Sequence, residues 1–223
     1  MKSISKIIIF NILLLGNHSY SFSQSISMGI GTSFLGLGGN IAVDLTDRTS
    51  PSCFKIAGSS SNFQIPSQTF LFNGVSVLGS GNIKTGGIGL FYDLHPFKNA
   101  IKISTGIFYS RFEFAGNLVV NDTYNLGEIR LAPEEVGSAS LTIQPGKFLP
   151  YLGLGVGRSI PNEKRISFCF EIGTFYSLKN NIALDCTGLI EPMSEQKSII
   201  EANMSEYRWI PNTSLTLNFR LTK

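Results

Sequence analysis

Apolar and small or polar residues alternate through most of this chain. The pattern is clearest from Lys147 to Lys179, KFLPYLGLGVGRSIPNEKRISFCFEIGTFYSLK. There Leu152, Leu154 and Val156 alternate with Gly153, Gly155 and Gly157. After a short turn, Ile166, Phe168, Phe170 and Ile172 alternate with Ser167, Cys169, Glu171 and Gly173. A period of two marks β-strands with one apolar face and one small or polar face. The same period predicts strands over Ser25–Ser33, Asn40–Thr46, Ser52–Ser59, Ile83–His95 and Ala100–Phe114. A sixth strand starts near Ser140, bends at Pro145-Gly146 and Pro150, and becomes the first strand of the pair above. The eighth carries Leu215, Leu217, Phe219 and Leu221 against Ser214, Thr216, Asn218 and Arg220. Asn180–Cys186 alternates again and extends the seventh. Residues 191–207 break the period: Met193, Ile200, Met204 and Tyr207 recur at helical spacing behind Pro192, which predicts a short loop helix near residues 192–206.

Two architectures satisfy such strands. A soluble sheet turns its apolar face to a core; a membrane barrel turns it to lipid and its small or polar face to the lumen. The strand count is even, and the connections sort by side. Residues 47–51, 96–99 and 159–165 are short. Residues 35–39, 60–82, 115–139 and 178–208 lie on the other side, and three of these are long, with Thr69–Leu78 able to form a small hairpin inside the second. Short turns on one side and long loops on the other are the asymmetry of outer-membrane barrels. The expected fold is all-β, an eight-stranded antiparallel up-and-down transmembrane β-barrel. Tyr92, Phe97, Tyr109, Tyr151, Phe175, Tyr176 and Trp209 are candidates for interface girdles. The rival is a soluble lipocalin-like barrel with an apolar, lipid-binding lumen.

The N-terminus decides the compartment. Lys2 and Lys6 precede the apolar run Ile7–Leu15, and Ser21 and Ser23 stand at cleavage-site spacing. Residues 1–23 therefore read as a signal peptide and 24–223 as the barrel domain. No apolar run is long enough for a transmembrane helix, so a membrane is crossed by strands or not at all. The net charge of +3 includes Lys2 and Lys6, and without a basic patch nucleic acid is not an expected partner. Glycine, 23 of 223 residues, exceeds the usual ~7% and falls largely on the small faces of strands. Cys53, Cys169 and Cys186 form no C-x-x-C pair, and MGIGTSFLGLGG lacks the strand-to-helix context of a dinucleotide loop. No cofactor or metal is expected.

The run KFLPYLGLGVGR, then ISFCFEIGTFYSLK, a helical acidic insert and YRWIPNTSLTLNFRL, together with YDLHPF earlier in the chain, resembles a family of uncharacterised bacterial outer-membrane barrels. The resemblance covers about residues 25–222. It implies the fold, an outer-membrane location, outer-membrane lipid and the barrel-assembly machinery as partners, and a broad likeness to the transmembrane domain of OmpA-type proteins. It implies no activity. Leu221 stands where such barrels usually end on an aromatic residue, and Thr222-Lys223 follow it.

Alternation puts Asp44, Lys55, Asp93, His95, Lys102, Glu171 and Arg220 on the inner face. Eight strands enclose just enough room for side chains, so these charges must pair. Glu171 with Arg220 and Asp93 with Lys102 are the pairs that strand neighbourhood suggests. The expected role is a polar plug in a structural or surface-interaction protein, with the long loops free to meet a surface ligand. A lipid-modifying enzyme would need a set such as Asp93, His95 and Ser104. His95, beside Pro96 at the short-turn end, is badly placed for that, and no enzymatic activity is expected.

Overall fold

The computed structural model describes residues 25–45, 51–72, 75–126, 128–161, 165–204 and 206–222. The signal-peptide segment and most of the first short turn lie outside these residues. The strands are β1 (Ile26–Ser33), β2 (Gly36–Asp44), β3 (Ser52–Phe72), β4 (Val75–Leu94), β5 (Ile101–Ser110), β6 (Glu113–Val120), β7 (Tyr124–Leu126), β8 (Ile129–Leu131), β9 (Ser138–Pro145), β10 (Phe148–Val156), β11 (Ile166–Tyr176), β12 (Asn180–Cys186) and β13 (Trp209–Arg220). The fold is all-β and antiparallel.

Eight of these strands close a ring in the order β4-β3-β2-β1-β13-β11-β10-β5, with β5 returning to β4. Alternation sets the ring's polarity. Along β10, each residue from Phe148 to Val156 is exposed or buried in strict turn, so that Leu152, Leu154 and Val156 point out while Gly153 and Gly155 point in. One cross-strand row on the outer surface runs Phe219, Met28, Ile41, Ile56, Leu90, Ile107. All six are exposed.

The eleven-stranded sheet is larger than the ring. β4 pairs with β5 only from Gly87 to Leu94, then with β6 from Val77 to Lys84. Gly86 and Gly87 stand at the switch, with φ of +129° and +150°. Only glycine takes such values without strain. At the same level the Gly146 amide donates to Ser177 Oγ at 3.0 Å, where the path through β9–β10 and that through β11–β12 both leave the ring. Above this level β3, β4, β6, β9 and β12 form a five-stranded extension. Beside β12 run a 3-10 helix, Gly188–Gln196, and an α-helix, Lys197–Met204. They span nearly the interval expected for the loop helix.

Three expected loops are therefore built differently. Residues 60–82 are not a loop but the upper half of the β3–β4 hairpin, in which Thr69 does pair with Leu78. The register irregularity between Ile65 and Gln68 accommodates Pro66, which has no amide to give a ladder. Residues 115–139 hold most of β6, the small β7–β8 hairpin and a single helical turn, Pro133–Val136. Asn180–Cys186 is a separate strand paired with β9.

Polarity inverts along the hairpin. In the extension the face continuous with the ring's interior is apolar: Ile65, Gly81, Gly116, Leu141 and Leu184 form one cross-strand row, and Ile83, Phe114, Ile143 and Ile182 another. The face continuous with the ring's apolar exterior carries Asn62, Lys84 and Glu113, and beside them Gln64 and Asn82. Lys84 Nζ lies 3.1 Å from Glu113 Oε1, and Gln144 donates to Glu113 Oε2 at 2.8 Å. These two partners hold the Glu113 carboxyl below its ordinary range.

Candidate functional site: the lumen of the ring

Four ionisable side chains from four strands meet inside the ring. Lys55 comes from β3, Asp93 from β4, Lys102 from β5 and Glu171 from β11. Lys102 Nζ lies 3.1 Å from Asp93 Oδ2 and also contacts Glu171 Oε2. Lys55 Nζ lies 3.2 Å from Asp93 Oδ2 and 3.4 Å from Glu171 Oε2. Asp93 is 0% exposed and Lys102 1%. Two ammonium groups face two carboxylates, so the cluster is neutral as a whole. Burying it is tolerable only because each charge is paired and hydrogen-bonded.

Neutral donors complete the cluster. The Ser104 hydroxyl stands 2.7 Å from Asp93 Oδ1 and 3.0 Å from Glu171 Oε2. Tyr151 donates to Glu171 Oε1 at 2.6 Å. Ser159 donates to Asp93 Oδ2. Ser159 comes from the β10–β11 connection, whose residues 159–161 are buried in the lower mouth of the ring. Its carbonyl accepts from Ser27 Oγ at 2.6 Å. The expected short turn is thus also a stopper.

His95 closes the same end. Its Nδ1 lies 3.3 Å from the Pro51 carbonyl oxygen and its Nε2 3.3 Å from that of Gly157. Burial moves this imidazole's pKa below its ordinary value, against the pull of the two carbonyls. Asp93, His95 and Ser104 do not assemble as a catalytic set: Ser104 is held by the two carboxylates and His95 by backbone.

The other expected inner residues sit elsewhere. Glu171 and Arg220 do not pair. Register sets Glu171 opposite Ser214, whereas Arg220 stands at the far end of β13 opposite Ser27. There Arg220 donates to Ser25 Oγ at 2.8 Å and to the Pro161 carbonyl at 3.4 Å. Strand neighbourhood identified the right two strands but not the stagger between them. Asp44, half-buried, lies at the same end of β2, opposite Cys53. Cys53, Cys169 and Cys186 are all free thiols.

Above the ions the lumen is aromatic. Phe91, Phe108, Tyr151 and Phe175 pack with Leu35 and Leu149. The Tyr151 and Phe175 ring centroids are 4.7 Å apart, and Phe91 meets Tyr151 edge-on at 5.3 Å. Two of these, Tyr151 and Phe175, correct the girdle expectation: both are inside. Their alternation with outward Leu152 and Thr174 carries that signal, and only their nearness to strand ends suggested an interface. Glycines make room for the rings; a Cβ at Gly153 or Gly173 would run into Tyr151. Beside the rings remains a void of ≈ 90 Å³ facing Gly38, Gly58, Asn40 and Asn212. The carboxamide oxygens of Asn40 and Asn212 have no hydrogen-bond partner among the described residues. Leu35, in the β1–β2 turn, is buried at its upper end, and its carbonyl accepts from Thr85 at 2.9 Å.

Comparison with known proteins returns likeness of structure only. No family model matches the chain, and no curated protein matches it. The crystal structure of Acinetobacter baumannii CarO is similar at a TM-score of 0.58 with 15% identity, over 86% of this chain and 96% of that one. That of A. baumannii CarO2 is similar at 0.60 with 14% identity, over 88% and 98%. A major outer membrane protein from Thermus thermophilus aligns over 89% and 100% with 15% identity but a TM-score of only 0.40. The first two place this chain in their fold. At such identity the likeness extends no further than the fold.

Proposed function

We propose that this chain is a small bacterial outer-membrane β-barrel protein, exported through a signal peptide cleaved near Gln24, whose lumen is plugged and whose working surface is the extension. The observation that carries the reading is the outward face of the ring. Leu154 is 63% exposed and Phe168 70%, in a continuous apolar surface, while two lysines and two carboxylates are buried in the lower layer of the interior. In water that arrangement is inside out; in a bilayer it is the required one. It also counts against a lipocalin-like lumen, which needs apolar walls from end to end. Lipid and the barrel-assembly machinery are the partners that follow. The ion cluster, the aromatic layer, Leu35 and the Ser159 stopper together support a structural ring without a continuous water path. The role assigned is structural support of a surface module, with no chemistry at Asp93, His95 or Ser104.

The test is fractionation of expressing cells followed by a heat-modifiability gel. Protein in the outer-membrane pellet whose mobility shifts on boiling is the expected result. Soluble protein with no shift would overturn the reading.

A further inference from the structure

The extension contains a second cavity that the lumen plug does not involve. It has a volume of ≈ 500 Å³ and lies on the apolar face, between the sheet and the helical segment 188–204. Its floor is glycine: Gly79 and Gly81 on β4 and Gly116 on β6. Ile65, Leu141 and Leu184 flank that floor, and Met193 and Ile200 form the helical wall. A sheet meant only to pack against a helix would fill this space with side chains. Here the side chains are missing from the centre. Phe114 and Leu118, beside the glycines, stay exposed.

Among the described residues the lining has no charged side chain; its polar ones, such as Gln68 and Gln196, are neutral. That selects an uncharged apolar ligand, in a volume within the ~300–1,000 Å³ of small-molecule sites. The sheet's other face, with Asn62, Gln64, Asn82, Lys84 and Glu113, separates the cavity from the ring's apolar exterior. A molecule diffusing sideways out of lipid would meet that polar surface, so entry is from the aqueous side. We infer that this cavity binds the alkyl or acyl chain of an uncharged amphiphile taken from the aqueous side. Its position beyond the bilayer rests on the membrane reading of the ring; its lining does not.

A long-chain fatty alcohol bearing a diazirine, added to the full chain in phosphatidylethanolamine/phosphatidylglycerol vesicles, tests this by photolabelling and peptide mapping. Two variants accompany it. Gly116→Leu fills the floor at a position where a Cβ meets only ordinary contact with Phe114. Ile200→Lys puts a charge on the helical wall without touching the sheet. Label on the β4, β6 and β12 extension peptides, falling at least fivefold in both variants while label on ring peptides holds, is the expected result. Label confined to the outward ring residues, or extension label unchanged in both variants, overturns the inference and leaves the membrane reading intact. Label in the extension with none on the ring supports the cavity and overturns the membrane reading instead.

Discussion

Tyr151 donates its phenolic hydrogen bond to Glu171 Oε1 at 2.6 Å, and its ring packs against Phe91 and Phe175. One side chain therefore joins the charged lower layer of the lumen to the aromatic upper one. Tyr151→Phe keeps the ring and removes the donor. Because the acceptor is a buried carboxylate, the loss should be about 1.5–3 kcal/mol. It is read from the urea dependence of the heat-modifiable transition in wild type and variant, with unchanged migration of the folded band.

The ion cluster should respond to single and paired changes in opposite ways. Glu171→Gln leaves Lys55 and Lys102 sharing one carboxylate, and should destabilise the ring by about 3–5 kcal/mol. Adding Lys102→Met restores charge balance and should recover a large part of that loss. A double variant less stable than the sum of its singles would show that the pairing is not what holds these residues.

His95 makes the lower mouth sensitive to acid. Its folded pKa lies below the ordinary 6.5, so folding favours the neutral ring. The stability it contributes is fully present above pH 6.5 and is lost as pH falls towards the lowered folded value. Thermal unfolding followed between about pH 7.5 and 5.5 should show a steeper loss in wild type than in His95→Gln, which cannot titrate.

The two halves of the β3–β4 hairpin should tolerate charge differently on the same face. Ile56 and Gln64 both point outward and are exposed, one on the ring and one on the extension. Ile56→Lys should cost about 2–4 kcal/mol with lipid over that position. Gln64→Lys should be near neutral. Equal tolerance at the two positions, measured by urea titration in vesicles, would place both in water.

Much of the ring was legible because a barrel wall keeps one period along each strand. Lys147–Lys179 is the clearest case: alternation puts Leu152, Leu154, Val156, Ile166, Phe168, Phe170 and Ile172 on one face, and the sorting of the loops by side turns that face outward. The extension was less legible. Residues 60–82 are rich in Ser, Asn and Gly, and Pro66 separates the apolar positions Phe63 and Ile65 from those that begin at Phe70. Composition there resembles a loop, and only pairing with β4 makes it a strand. Within the lumen, alternation named Lys55, Asp93, Lys102 and Glu171, and strand neighbourhood named the Asp93–Lys102 pair but not the other contacts. Side chains in the ring also meet beyond the adjacent strand: Lys102 and Glu171 face each other over Gly155, which stands opposite both, and Lys55 reaches Glu171 across the lumen. Hence Glu171 meets Lys55 and Lys102 rather than Arg220. Ser159 was missed because its segment has no period at all; it enters the lumen as a loop.

The change of sign along β3 has a consequence for adaptation to bilayers of different thickness. From Ser52 to Ile65 the pairing with β4 runs without a register shift. The outer face of β3 turns from Phe54 and Ile56 to Ser60, Asn62 and Gln64 where Ser59 and Ser60 meet Gly87 and Gly86, the level at which β4 exchanges β5 for β6. On the membrane reading, the waterline lies at the top of the ring and is drawn there by outward side chains. A few point substitutions at outward positions among residues 58–64, with none in the lumen, would shift that line along a β3–β4 ladder that is continuous from Ser52 to Ile65. Hydrophobic matching could therefore evolve independently of both the plug below and the cavity above.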